Sequence, residues 1–475
     1  MRTRTTRLIA AVAILSVVPL VARSQSDASL KLSTTNPTAA AEFRAGVGDF
    51  QNISFESATS HFKAAIDADP NFGLARVLYA STTGALDPSQ QATELNRGVA
   101  DAARGTNNEL VLAAAYREAT LGHTDAGNAL FRAASQLMPA DELVAWAAAG
   151  GFGAPLAATR EFVTRHPNYP IGYNTLAYQA WAGGDRAAAL AAAKRQVELL
   201  PTAPNPHDTY AELLQFAGNF PEATAHYKQA TTLSPKFPEA YAGLAEVAAL
   251  QGQYDQARTY LNQAIVNAWT PGQKLAYMRQ IVGTYVLQGG SVDALTKAQE
   301  AAIAEAKAQG DARSTAVLYS QLATIQANAG NANAAHQSIA MAKAASANVP
   351  WNVHYFGGMA HGLMKHWAPA GQELAALKAQ AAADPSSVPK AQLAALEAYQ
   401  LTQQGKPADA LAILMAADTT NVLVMSRIAE AHAALGHTAE AAAWNNRINA
   451  DYGLALGDFT NVNSRRRAKL ATASR

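Results

Sequence analysis

The chain has 475 residues, of which 49% are apolar but only 7% aromatic and 15% charged. An alanine-rich, aromatic-poor chain favours closely packed helices over a β-sandwich, because Ala is both the strongest helix former and a minimal obstacle where helices cross. The absence of cysteine excludes disulfides, thiolate metal sites and a cysteine nucleophile, and a formal net charge of +1 gives no reason to expect a polyanionic partner.

The first element is a targeting segment. Arg2, Arg4 and Arg7 precede an apolar run over residues 8–21, and Ala22-Arg23-Ser24 puts small residues where a signal peptidase reads. About 14 apolar residues are too few to span a bilayer comfortably, so a cleaved secretory signal over residues 1–24 is expected rather than an anchor. Without a cysteine at the cut, lipid anchoring is excluded. Cleavage removes Arg2, Arg4, Arg7 and Arg23, leaving 33 basic residues against 36 acidic ones, a formal −3. The expected location is therefore the periplasm or the medium, with no nucleic-acid partner and no stable membrane anchor.

A linker over residues 25–38 leads into helical repeats. An early unit from Ala39 to Pro70 keeps Gly46, Phe55, Ala58, Phe62 and Ala65, and another from Asn108 to Pro139 keeps Ala115, Gly122, Phe131 and Ala134. Residues 72–105 have lost the pattern, although Asp87-Pro88-Ser89 opens a fresh helix by capping. Residues 141–169 are short for a unit and carry a loop over 150–155.

Three units then follow in perfect register, over 170–203, 204–237 and 238–271. Small residues recur at Ala177/Ala211/Ala245 and at Ala189/Ala223/Ala257, where two helices can approach only if the side chain is small. Gly184, Gly218 and Gly252 end the first helix of each unit, since a left-handed turn costs glycine least. Pro201, Pro235 and Pro271 stop the second helix. Ala193, Tyr227 and Leu261 occupy the layer between neighbours.

The stretch from Pro204 to Pro235, and the next unit beginning PEAYAGLAEVAALQGQYDQARTYLNQAI, resemble the tetratricopeptide repeat family. Weaker copies begin near Leu275, Ala316, Ala391 and Val422, and the one near Leu275 has Val282 at the close-packing position. The resemblance implies an all-α fold, a right-handed α-solenoid of stacked antiparallel helix pairs, about eleven in all, with repeats over 39–348 and 391–458. Residues 349–390, which include Pro350-Trp351, Pro369 and Asp384-Pro385, read as an irregular helical segment. Residues 459–475, with Arg465-Arg466-Arg467 and Lys469, read as a solvated basic tail.

In this family the first helix of each pair lines an inner surface that takes a peptide or protein. The positions that face it imply Asn174, Tyr178 and Trp181 in the first clear unit, Asp208, Glu212, Gln215 and Phe216 in the second, and Glu239 and Glu246 in the third. The clear units contribute no Lys or Arg there, which rules out a clamp for a peptide carboxylate. An acidic surface with three aromatics suits a basic or polar-aromatic segment. Scattered surface carboxylates and inter-repeat aromatics remain an alternative reading of the same residues.

Catalytic motifs are missing. There is no HExxH helix, Walker loop, dinucleotide loop or GxSxG elbow, so neither an enzyme nor a cofactor is expected. His361/His366 and His432/His437 are each five apart, about 140° apart on a continuous helix, so they should point away from one another. No metal site is expected. The leading expectation is an exported interaction scaffold. The alternative is an extracytoplasmic carbohydrate- or small-ligand-binding protein, with Tyr178, Trp181, Trp351, Tyr355 and Trp367 as stacking surfaces.

Overall fold

The computed structural model describes residues 30–84 and 86–473, so the expected signal segment lies outside the described residues. Among the described residues there are 25 α-helices, one short 3-10 turn at Gly151–Gly153, and no strand. Within each of the two compact units described below, adjacent helices pack as antiparallel hairpins, the helix pairs of an all-α solenoid. None of the described helices is long and apolar enough to cross a membrane.

The chain divides into two compact units, one up to Gly172 and one from Tyr173 onward. The sequence pattern had suggested a single run of repeats over 39–348. In the first unit, helices α1 (Pro37–Gln51), α2 (Phe55–Ala68), α3 (Gly73–Thr82) and α4 (Pro88–Ala102) make two hairpins. They are followed by α5 (Asn107–Thr120), α6 (Thr124–Leu137), α7 (Glu142–Ala148) and α8 (Leu156–Arg165). The core is built on Phe43, Phe62 and Phe72, with ring centroids of Phe43 and Phe72 4.9 Å apart. The segment expected to be a linker is tied down at its end: Ser33 N–H donates to Glu109 (2.8 Å) and Asn36 caps α1. Asp87 and Gln90 form a complete capping box at α4.

The second unit is built on the three in-phase repeats. They are α9 (Pro170–Ala182) with α10 (Arg186–Leu199), α11 (Pro204–Phe216) with α12 (Phe220–Leu233), and α13 (Pro238–Leu250) with α14 (Tyr254–Val266). Ala177, Ala189, Ala211, Ala223, Ala245 and Ala257 are all completely buried. Gly184, Gly218 and Gly252 adopt φ of 81°, 81° and 78°, the left-handed region that a side chain resists. The next N–H reaches back five residues in each turn, as in Asn219 N–H to the Leu214 carbonyl at 2.9 Å, which closes a Schellman motif. Tyr227 fills the layer between repeats so tightly that a Cβ on Gly243 would stand 2.2 Å from its ring. Pro271 does not close the third repeat. It stands in the first turn of the following helix, where its missing N–H costs nothing, and Thr270 caps that helix.

Beyond the repeats come α15 (Pro271–Gln288), α16 (Val292–Ala308), α17 (Ala312–Asn328) and α18 (Ala332–Ala344). The segment read as irregular is an ordinary hairpin of α19 (Trp351–Leu363) and α20 (Trp367–Ala383). Its turn hides in sequence because Lys365, not glycine, takes the left-handed φ of 60°. The chain ends with α21 (Lys390–Gln403), α22 (Pro407–Met415), α23 (Val422–Ala434), α24 (Thr438–Asn449) and α25 (Phe459–Ala473).

The last of these corrects the expectation of a solvated basic tail. Asp458 caps α25 through the Thr460 N–H (2.8 Å), and Leu454, Leu456, Phe459 and Val462 enter the core that also holds Ala245, Val282 and Tyr355. Arg465 is buried, donating to the carbonyls of Asp451 (2.5 Å) and Gly453 (2.8 Å), while Arg467 pairs with Glu430 at 2.7 Å. The apolar residues just ahead of the arginines decide the outcome, because they can be buried only if the arginines that follow find carbonyl and carboxylate partners.

Ala211 is the sharpest test of the repeat register. Replacing it with Leu should overpack the α11 crossing and lower stability by about 1–3 kcal/mol in denaturant unfolding. An unchanged midpoint would mean that the two helices do not approach at that residue.

Candidate functional site: the acidic first-helix face

The first helices α9, α11 and α13 carry all nine expected contact residues, and neighbouring repeats join them. The Tyr178 hydroxyl donates to Glu212 (2.5 Å) across one repeat boundary, and Gln215 Nε2 donates to Glu246 (3.1 Å) across the next. Gln273 Nε2 donates to Glu239 at 2.7 Å. The Trp181 and Phe216 rings lie 5.6 Å apart, with the Arg186 guanidinium 5.0 Å from the Trp181 ring. The spacing of 34 residues therefore becomes side-chain contact, because each repeat places the same position beside its neighbour.

Two of the nine expected residues are internal. Gln215 is fully buried, held by the Tyr227 hydroxyl (3.1 Å) as well as by Glu246. Asn174 is 4% exposed and donates to Thr209 Oγ1 at 2.9 Å. Both brace the repeats from within, because a polar side chain between two helices must find partners there. Tyr178 is exposed, and Trp181, Asp208, Glu212, Phe216, Glu239 and Glu246 are half-buried.

The carboxylates are crowded and under-compensated. Burial, with Glu212, Glu239 and Glu246 as like-charged neighbours, pushes the Asp208 carboxyl well above the usual carboxylate range. Burial likewise raises Glu212, and raises Glu246 to about 8 despite bonds from Gln215 and the Leu456 N–H and the field of Arg465. Several acceptor oxygens nearby have no donor: Asp208 Oδ1, Asn205 Oδ1 on α11, and Gln280 Oε1 on α15. A face with surplus acceptors and raised carboxyl groups is matched by a cationic, donor-rich ligand.

Part of this face is already covered by the chain itself, which the sequence did not signal. The non-helical stretch over 452–458 packs on the start of α12 and on the first helices α13 and α15 before α25 begins. The Tyr452 ring packs on Phe220 at 5.2 Å, and a Cβ on Gly283 would stand 2.0 Å from the Leu456 carbonyl oxygen. Arg279 donates to the Gly457 carbonyl (3.3 Å). Glycine at 283 in place of a side chain is the local reason that a backbone can lie so close.

Of the other aromatics proposed for a sugar, Trp367 is half-buried at the start of α20. Tyr355 is 2% exposed inside the core, and Trp351 packs edge-on against it at 6.4 Å. The histidine pairs also differ from expectation. His366 and His437 do not continue the helices of His361 and His432, but sit just past the left-handed turn, where their N–H groups bond the carbonyls of His361 (2.8 Å) and His432 (2.9 Å). A five-residue spacing that diverges within a helix converges across a Schellman turn.

Residues 214–267, the greater part of two successive clear repeats, match the family model described as tetratricopeptide repeat. That segment is a tetratricopeptide repeat. Among solved structures, the chain is similar to the MamA protein, at 16% identity over 48% of this chain and 91% of that one, with a TM-score of 0.22. It is also similar to TTC0263, a thermophilic tetratricopeptide repeat protein of Thermus thermophilus, at 18% identity over 50% of this chain and 96% of that one, with a TM-score of 0.26. No curated protein matches the sequence. Tetratricopeptide repeat proteins are typically non-enzymatic scaffolds that bind protein or peptide partners.

The raised carboxyl groups tie stability to pH. Folded Glu246 keeps its proton up to about 8, whereas the unfolded side chain loses it near 4.5. The folded state therefore holds the extra proton between those values, and its stability falls as pH rises through that window. Glu246→Gln preserves an acceptor for Gln215 but removes the titration. Melting curves taken from about pH 5 to about pH 8 should show a smaller fall for the variant than for the wild type. Equal slopes would mean that Glu246 is ionised in the folded protein at neutral pH.

Proposed function

We propose that this protein is an exported interaction scaffold that binds a basic or polar-aromatic segment of another polypeptide on the first-helix face of its second unit. The observation that carries the reading is that this face already accommodates a polypeptide in cis: the stretch over 452–458 lies across it, with Leu456 bonded to Glu246. The part not covered in this way holds Tyr178, Trp181, Asp208, Glu212 and Phe216. Its aromatics offer apolar anchors, and its carboxylates offer orientation to lysine or arginine. The function is contact, without a chemical step and without a cofactor.

Export is part of the same proposal and rests on Arg2, Arg4 and Arg7 before the apolar run over 8–21 and the Ala22-Arg23-Ser24 site. The mature amino terminus is expected near Gln25, in the periplasm or the medium. Amino-terminal sequencing of protein recovered from cell fractions decides this, and a full-length chain confined to the cytosol would overturn it.

Binding is tested with a panel of arginine- and lysine-rich peptides, read by titration calorimetry at low and high salt. Trp181→Ala should weaken the best binder by about 2 kcal/mol, roughly thirtyfold, while leaving the melting temperature unchanged. Asp208→Lys with Glu212→Lys should abolish the preference for basic peptides, and wild-type affinity should fall as salt is added. Wild-type affinity in both variants would remove the binding site from this face.

A further inference from the structure

We propose that His336, His361 and His366 form a three-imidazole site for a divalent late first-row transition ion, of which Zn2+ is the reference probe. His336 stands on the second helix of one hairpin (α18), His361 near the end of the first helix of the next (α19), and His366 at the start of α20. One ring nitrogen from each lies within 4.8 Å of the other two, and His366 Nδ1 is 3.3 Å from His336 Nε2. Zinc–nitrogen bonds of about 2.0–2.1 Å in a tetrahedron set nitrogen–nitrogen edges at roughly 3.4 Å. One edge of the triangle is already at that length, and the others must close by little more than an ångström.

An independent observation comes from His361 alone. Its side chain is 7% exposed, yet its Nδ1 is buried with no hydrogen-bond partner. An imidazole nitrogen left without a partner in a packed interior is costly, and a metal ion supplies the missing bond. Imidazole ligands suit zinc, copper, nickel and cobalt, and three of them leave a fourth position open. His336 and His366 are exposed, so that position faces solvent and takes water or a donor from another molecule. The Lys343 ammonium does not stand alone near the site, being paired with Glu373 at 2.5 Å. In the absence of metal, the contact between His366 and His336 uses the lone pair of one ring for the N–H of the other, and ligation requires the donor ring to carry its proton on its other nitrogen instead.

The ion would staple two successive hairpins through side chains the repeat pattern does not require. The chain offers two competing histidine pairs, His432/His437 at 3.3 Å and His207/His226 at 2.9 Å, which lack a third imidazole. They serve as internal controls.

The test is calorimetric titration of the untagged chain with Zn2+, alongside His336→Ala/His366→Ala and His432→Ala/His437→Ala. Both substituted pairs are at the surface, and equal metal-free melting temperatures certify the fold. The expected result is one Zn2+ per chain at micromolar affinity or tighter, unchanged in the His432/His437 variant. The His336/His366 variant should lose more than the 10–100-fold that removing a supporting hydrogen bond costs a metal site. With Co2+ as a spectroscopic probe, the visible bands of a tetrahedral nitrogen-rich site should appear in the wild type and vanish in that variant. Wild-type affinity in the His336/His366 variant would overturn the proposal, as would the absence of submillimolar Zn2+ binding by the wild type.

Discussion

The structure depends on how closely two α-helices can approach. Completely buried alanines at 177, 211 and 245, and their partners at 189, 223 and 257, bring paired helices into contact along their backbones. Larger residues then fill the gaps between pairs, as Tyr227 fills the space that Gly243 leaves open. Because interiors pack at near-crystalline density, the small positions and the large ones are not interchangeable. The turns obey a second version of the same constraint. Left-handed glycines at 184, 218 and 252 let the chain reverse within three residues, so each second helix starts beside the first.

That geometry has an electrostatic consequence. Repeats in register place equivalent side chains next to one another, so carboxylates on successive first helices gather instead of dispersing. Asp208, Glu212 and Glu246 are pushed upward by burial and, for Asp208 and Glu246, also by the like charge of neighbouring carboxylates. Two responses are built into the chain. Hydrogen bonds from Tyr178 and Gln215 reach carboxyl groups across repeat boundaries, and a covering segment brings the Leu456 N–H and the Arg465 guanidinium near Glu246. The proposed binding surface lies in the region without such cover, around Tyr178, Glu212 and Phe216.

The same turn geometry explains the histidines. At the end of a helix in this fold, residues five apart are joined by a backbone hydrogen bond, which holds for His361/His366 and His432/His437 alike. What distinguishes the first pair is His336 from the preceding hairpin, whose ring stacks on His366 at 5.2 Å. A repeat scaffold can therefore assemble a polar cluster from three separate helices while its core pattern stays intact.

Much of the fold was legible in the sequence because its determinants are local and periodic. The alanine columns, the turn glycines and the interval of 34 residues are each read without knowing a single tertiary contact, and helix boundaries at Pro204 and Pro238 follow directly. The sharing of Tyr178 with Glu212 was foreshadowed by their common phase. The sequence was silent where a feature rests on contact between residues with no fixed spacing. Gln215 and Asn174 looked like surface positions, but the neighbouring repeat buries them. The hairpin over 351–383 carried no glycine at its turn, because Lys365 accepts the left-handed conformation. The arginines of 465–467 read as solvated charge until the tertiary structure supplied carbonyls and Glu430 to receive Arg465 and Arg467. Periodicity determined which helices form and which faces meet, while only the folded chain decided which polar groups would find partners and which would be left seeking them.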